Sequence, residues 1–171
     1  MRKKVLISVT NEHWIHKMVV RRLLQLIQDT RYDINIIMPS HKPYENNLHH
    51  IVNDVLKDGY DFWLNIDSDN PPERNPLDLV VLNKAVIGLP TPITHFDVFE
   101  GLRKVDAVGT GCVLFARRVF EHPEMQKGCF TRKLNPDGTV ERGNDISFCE
   151  RARKNGFEIY AHYDYFCGHF S

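Results

Sequence analysis

Asp67 and Asp69 stand two positions apart, directly after the apolar run Asp61-Phe-Trp-Leu-Asn-Ile66. On an extended chain, side chains at i and i+2 project to the same side. Two carboxylates converging in that way, with Ser68 between them, offer an oxygen-rich site for Mg2+ or Mn2+. Such hard ions commonly share their coordination with phosphate oxygens. The residues Asp67-Ser-Asp-Asn70 also precede Pro71-Pro72, a composition that suits a structural turn. Placement at the end of a buried strand favours the metal.

Three further positions could join this pair. Asp145 follows Gly143-Asn144 at the expected start of a helix. A carboxylate there stabilises the free backbone amides by about 1 kcal/mol, and a helix start equally fixes the direction of a general base. His169, after Cys167-Gly168, offers an imidazole to the same metal or an ordinary surface contact. Cys167 and His169 alone lack the paired ligands of a structural zinc site. Gly109-Thr110-Gly111 matches neither the dinucleotide fingerprint nor the P-loop, which leaves a strand bend or a close ligand approach. Lys42, Arg103, Arg132, Lys133 and Arg142 could meet phosphates, although surface ion pairs are their ordinary use. The histidines at 13, 16, 49 and 50 are expected on solvated helix faces, and Phe62 and Trp63 in the core.

Holding these residues in place falls to an alternation of elements. Val5–Val9 reads as a buried strand, followed by a helix from Glu12 to about Gln28 carried by Ile15, Val19, Leu23, Leu26 and Ile27. Ile34–Met38 is a second strand. Tyr44–Lys57 is an amphipathic helix, with Leu48, Ile51, Val52, Val55 and Leu56 at i, i+3, i+4, i+7 and i+8, and Gly59 lies just past its end. Residues 61–66 form a third strand. Strand–helix–strand–helix–strand implies parallel pairing through right-handed crossovers. Ligands of such sheets sit beyond the carboxyl ends of the strands, where Thr10, Ser40 and Asp67 fall. In the second half a helix is expected over Pro76–Lys84, a strand over Ala85–Leu89, and a loop or edge hairpin from Pro90 to Glu100. Val105–Val108 and Cys112–Ala116 read as two strands around the glycine bend. Leu134–Gly143 is polar and turn-rich, hence expected to be mobile. A helix then runs from Asn144 to Asn155, closed by Gly156, before a last strand over Phe157–Ala161. The class is α/β: a mixed sheet, parallel in its N-terminal half, with helices on both faces.

A chain of 171 residues with 42% hydrophobic content suits one domain. Lys+Arg and Asp+Glu number 22 each, for a formal net charge of zero. That argues against a general electrostatic grip on nucleic acid or an anionic membrane. The four cysteines form no C-x-x-C pair and read as reduced, mostly buried thiols. The apolar run near Met1 is too short for a secretory leader, and nothing approaches the roughly 18 apolar residues of a membrane span. The expectation is a soluble, cytoplasmic protein.

Four segments, in order, resemble glycosyltransferase family 2 and its GT-A relatives: Val5-Leu-Ile-Ser-Val-Thr10; Gly59-Tyr-Asp-Phe-Trp-Leu-Asn-Ile-Asp-Ser-Asp69; Val105-Asp-Ala-Val-Gly-Thr-Gly-Cys-Val-Leu-Phe-Ala-Arg117; and Gly143-Asn-Asp-Ile-Ser-Phe-Cys-Glu-Arg-Ala-Arg-Lys-Asn-Gly156 with Cys167-Gly-His169. The resemblance implies a single GT-A-like (Rossmann-like) domain over 1–171, with a nucleotide-binding half (1–70) and an acceptor and catalytic half (71–171). It implies metal-dependent, inverting transfer of a sugar from a UDP- or GDP-linked donor to an acceptor hydroxyl, with Mn2+ or Mg2+ as cofactor. Thr10 would touch the nucleotide base and Asp67 the donor ribose or a metal-bound water, with Ser68 beside them. Asp69 and His169, with Asp67, would hold the ion. Asp145 would be the general base, and Gly109, Thr110, Gly111 and Asn144 would lie on the acceptor side. Asn144 stands where the family carries the first residue of an acidic pair. Tyr44-Glu-Asn-Asn47 stands where many relatives carry an arginine. Similar short enzymes occur in phages and bacteria; a modified DNA base is one acceptor to consider, although the charge does not indicate it. Two other readings stay open. One is a catalytically silent nucleotide-sugar binding module, in keeping with Asn144. The other is a nucleotidyltransferase or phosphohydrolase, although the former usually carry a glycine-rich basic signature where this chain has Asn11-Glu-His-Trp14.

Overall fold

The computed structural model describes residues 1–10, 14–91 and 99–170. β1 (Lys4–Thr10), β2 (Asp33–Ile37) and β3 (Phe62–Asp67) are joined by α1 (Lys17–Leu26) and α2 (Tyr44–Lys57). A 3-10 helix (Pro76–Leu82) leads to β4 (Val86–Gly88). β5 (Leu102–Val105), β6 (Cys112–Ala116) and the short helices α3 (Arg118–Glu121) and α4 (Pro123–Gln126) follow. The hairpin β7 (Lys133–Leu134)/β8 (Val140–Arg142), α5 (Asn144–Lys154) and β9 (Ile159–His162) complete the order.

Among the described residues seven strands form one mixed sheet in the order β2-β1-β3-β6-β4-β9-β5. β1 pairs in parallel with both β2 and β3, as the strand–helix alternation requires. β6 is inserted antiparallel between β3 and β4, so the loop before β6 reaches the same sheet edge as the carboxyl end of β3. The period-2 alternation of each strand divides the core into two layers. Leu6, Trp63 and Phe115 face α2, α3, α4 and α5. Val5, Ile7, Leu64 and Leu114 face α1 and the 3-10 helix. The α2 side is heavily aromatic, with Phe130 stacked on Phe148 at 4.6 Å and Trp63 on Phe115 at 4.7 Å.

The elements depart from the sequence expectations in several places. α1 begins at Lys17, because His16 is extended and its Nδ1 accepts the Met18 amide as a cap. The strand expected over Val105–Val108 lies earlier, at Leu102–Val105, and pairs with β9 at the far edge rather than with β6. An edge strand carrying Arg103 and Lys104 shows no apolar run to mark it. Residues 134–143, expected to be mobile, close a hairpin: Asn135 N–H donates to the Thr139 carbonyl at 2.8 Å, and the Asp137 carboxylate accepts from the Thr139 amide and hydroxyl. His49 is not on a solvated face but packs against Phe130. The expected loop or hairpin over Pro90–Glu100 lies largely outside the described residues. No helix among the described residues is long and apolar enough to cross a membrane. All four cysteines are free and buried.

Candidate functional site

β1 and β3 are in register, with Ser8 opposite Asn65 and Thr10 opposite Asp67. Alternation turns Ser8, Thr10, Trp63, Asn65 and Asp67 toward one face, so polar side chains line a ladder through an apolar layer. Trp63 Nε1–H donates to Ser8 Oγ at 2.7 Å, and Ser8 donates to Asn65 Oδ1 at 2.8 Å. Asn65 Nδ2 in turn donates to the Thr110 carbonyl at 2.6 Å and to Asp67 Oδ1 at 3.2 Å. The same carboxylate oxygen accepts from Thr10 at 2.6 Å and from the Tyr44 hydroxyl at 2.8 Å. The hydroxyl of Tyr44, the first residue of α2, also lies 3.3 Å from Thr10 Oγ1.

Burial pushes the Asp67 carboxyl above the usual carboxylate range. The hydrogen bonds from Thr10, Tyr44 and Asn65 oppose that shift, and the neighbouring Asp69 charge adds to it. The Tyr44 hydroxyl is likewise driven up, first by burial and then by the adjacent Asp67.

Asp69 is set apart from Asp67 by a turn. Asn70 N–H donates to the Asp67 carbonyl at 3.1 Å, and Ser68 N–H to Thr10 at 3.2 Å. The premise of one extended segment with both carboxylates on one side is therefore corrected: β3 ends at Asp67, whose carboxylate enters the sheet-edge cluster, while Asp69 lies past the bend. There it meets the C-terminal segment. Pro72 bridges to Cys167, Gly168 N–H donates to the Pro71 carbonyl at 2.8 Å, and Phe170 N–H donates to the Asp69 carbonyl at 3.0 Å. Asn70 Nδ2 donates to the Gly168 carbonyl at 2.9 Å. These contacts bring His169 Nδ1 to 3.6 Å from Asp69 Oδ2, with side-chain exposures of 50% and 26%. The Phe170 ring stacks on His16 at 4.3 Å, and His16 N–H holds the Ser68 carbonyl at 2.8 Å.

Gly109–Gly111 is a loop, and its close approach is to protein. The Gly111 carbonyl accepts the Asp67 amide at 2.7 Å. A Cβ on Gly111 would stand 2.9 Å from Asn70 Oδ1, so only glycine fits there unless Asn70 moves. Beside this loop lies a cavity of about 490 Å³, lined among others by Gly88, Leu89, Phe99, Val108, Cys112 and Tyr163. Asp145 lies in the first turn of α5 but is not the cap, a position taken by Gly143. Its Oδ1 accepts the Ile146 amide at 2.8 Å. α5 is tied to the loop: Val108 N–H donates to Cys149 Sγ at 3.5 Å. Asn144 Nδ2 is buried without a hydrogen-bond partner among the described residues. Of the candidate phosphate-binding cations, Arg132 pairs with Glu45, Lys133 with Glu141, and Arg142 with Glu141 and Glu150.

A metal ion would have a partial protein cradle here. Two ligands each about 2.1 Å from one ion stand at most about 4.2 Å apart, so the 3.6 Å spacing of Asp69 and His169 suits a shared ion. A carboxylate and an imidazole are both acceptable to Mn2+. Among the described residues no three His, Cys, Asp or Glu side chains gather as a set, so a ligand's own oxygens would have to complete the coordination.

Asn65 and Ser8 join the cluster without having been singled out from the sequence, and Tyr44 was noted only as standing where relatives carry an arginine. Asn65 carried a usable signal, a polar residue inside the otherwise apolar strand Phe62–Ile66. Ser8 had the same mark within β1. Tyr44 had none beyond its place at a helix start.

No family model matches the chain, and none of the curated proteins matches its sequence. Solved structures do match in fold. A197 from STIV superposes with a TM-score of 0.67 at 14% identity, over 98% of this chain and 86% of that one. A protein of Desulfovibrio desulfuricans G20, provisionally described as a nucleotide-diphospho-sugar transferase, gives 0.52 at 16% identity, over 94% and 80%. A UDP-glucose pyrophosphorylase complexed with UDP-glucose gives 0.55 at 11% identity, over 99% and 92%. At these identities the likeness is one of fold alone: a mixed sheet with flanking helices, shared with these structures.

Proposed function

We propose that this chain is a glycosyltransferase of the GT-A type, moving a sugar from a nucleotide diphosphate donor to an acceptor hydroxyl. The observation that carries the reading is the pairing of Asp69 with His169, at 3.6 Å, beside the Asp67 cluster on the carboxyl edge of β1 and β3. Ligands of open α/β sheets bind at that edge, and the fold likeness to nucleotide-sugar enzymes agrees with it.

In this reading Asp69 and His169 would hold Mn2+ or Mg2+, which would supply Lewis-acid stabilisation of charge on the departing phosphate. Asp67, fixed by Thr10, Tyr44 and Asn65, presents its remaining polar edge to the donor's ribose. Thr10 and Ser68 frame the nucleotide at the end of β1. The acceptor oxygen bonds to the anomeric carbon as the bond from that carbon to the phosphate oxygen breaks, inverting its configuration. The acceptor's proton passes to the Asp145 carboxylate, from a helix held against the Val108 segment by Cys149.

The test is thermal-shift titration with UDP- and GDP-sugars, with and without Mn2+, on the wild type and Asp69→Ala. Metal-dependent stabilisation that disappears in Asp69→Ala is expected; stabilisation independent of both metal and Asp69 refutes chelation at this pair. The fold likeness to a pyrophosphorylase favours nucleotidyl transfer as the second reading. Products separate the two, since sugar transfer releases a nucleoside diphosphate, whereas nucleotidyl transfer from a nucleoside triphosphate to a sugar phosphate releases inorganic diphosphate.

A further inference from the structure

The cavity beside the polar cluster is lined by apolar and uncharged polar residues. Leu89, Pro90, Ala107, Val108 and Cys112 form its sides, and Phe99 and Tyr163 stand together in its lining. Their ring centroids are 5.1 Å apart with a tilt of 34°, and Phe99 remains 50% exposed. Among the described residues, none that lines this cavity carries a charged side chain. Elsewhere on the molecule charged side chains line the clefts, such as the one bounded by Arg132, Lys133, Arg151 and Lys154. A half-exposed phenyl ring set against a tyrosine favours a flat apolar partner, which such rings hold by stacking or edge contact.

Position and size add to this. Gly111 and Cys167 line one end. Gly111 abuts Asn70, and Asn70 holds the Gly168 carbonyl immediately before His169. That end therefore borders the Asp69–His169 pair. A cavity of about 150 Å³ accepts one benzene-sized ring, so about 490 Å³ leaves room for a hydroxyl-bearing group and a ring linked to it.

We infer that this cavity binds the acceptor, and that the acceptor is an uncharged molecule whose aromatic ring lies against Phe99 and Tyr163 while its hydroxyl reaches the Gly111 end. The word acceptor rests on the transferase reading; the ring site itself does not.

The experiment measures binding to the intact chain by ligand-observed NMR. The probes are 4-nitrophenyl β-glucoside, glucose and glucose 6-phosphate, and the proteins are wild type, Phe99→Ala, Tyr163→Ala and Tyr163→Phe. The aryl glucoside is expected to bind wild type more tightly than glucose or its phosphate. Phe99→Ala and Tyr163→Ala are expected to weaken it by about three- to tenfold. Tyr163→Phe keeps the ring and is expected to bind as wild type. Equal or tighter binding of glucose 6-phosphate overturns the inference, as does aryl binding unchanged in both alanine variants. UDP and GDP, each with Mn2+, are titrated separately. If neither binds while the aryl glucoside binds as described, the transferase reading falls and the ring site stands; the opposite pattern sinks the ring site alone.

Discussion

Replacing Gly88 by alanine probes how the second half of the chain supports the site. A Cβ at Gly88 would lie 2.4, 2.6 and 3.0 Å from Val108 Cβ, Cγ1 and Cγ2. Comfortable carbon–carbon contacts are about 3.5–4.0 Å, so Val108 must retreat by about 1 Å or more. β4 cannot give way instead, because Gly88 is paired with Val113 on one side and Ala161 on the other. The displacement therefore falls on the segment from Val108 to Gly111, whose carbonyls accept from Asn65 Nδ2 and the Asp67 amide. Overpacking of this kind costs about 1–3 kcal/mol. Urea unfolding of Gly88→Ala should show that loss, and the Asp67 amide should exchange with solvent faster than in the wild type. Val108→Gly removes all three crowding atoms, so the double variant should recover the Asp67 protection, with a coupling of about 0.5–3 kcal/mol. A Gly88→Ala protein within about 0.5 kcal/mol of wild type, or strictly additive effects in the double variant, would refute the argument.

Three further outcomes are expected. Ser8→Ala strands the Trp63 N–H and Asn65 Oδ1 inside the core; it should lose about 2–4 kcal/mol in urea unfolding and about 5–15 °C in Tm, and a loss under about 1 kcal/mol would contradict the ladder. The raised carboxyl of Asp67 means the folded state holds its proton to higher pH than the unfolded chain. Its stabilising contribution is complete below the unfolded value of about 3.9 and is lost as pH rises through the folded value. Asp67→Asn should therefore gain on wild type as pH rises across that window, and a growing deficit would reverse the sign. Asp145→Asn should keep donor binding and lower transfer by about 10²–10⁴-fold; unchanged turnover removes Asp145 as the base.

The first half of the fold was legible because each element carried its own period. Leu48, Ile51, Val52 and Val55 are buried on α2 as their helical spacing requires, and β1 and β3 are apolar runs buried within the sheet. β5 was misplaced because its pairing energy comes from the ladder with β9, not from an apolar face. The hairpin at 133–142 owes its turn to local side-chain bonds around Asn135, Asp137 and Thr139, which composition reads only as polar. Within the site, Asp69 and His169 were foreseen as partners and lie side by side. The separation of Asp67 from Asp69 was not visible, since it depends on a backbone turn. Tyr44 was hidden because its role is created by the crossover of α2 over β1, a relation between elements that no local pattern records.

The Asp67 cluster hangs on β1 and β3, with β1 flanked by strands on both sides and β3 by β1 and β6. Binding sites are often carried by loops that open in local, low-energy fluctuations. Here the polar ladder from Trp63 to Asp67 can come apart only if the central foldon opens with it. A ligand that grips this cluster is thus coupled to the cooperative unfolding of the sheet. At a concentration of 100 Kd it would raise global stability by about 2.7 kcal/mol, which makes the melting temperature a direct gauge of occupancy.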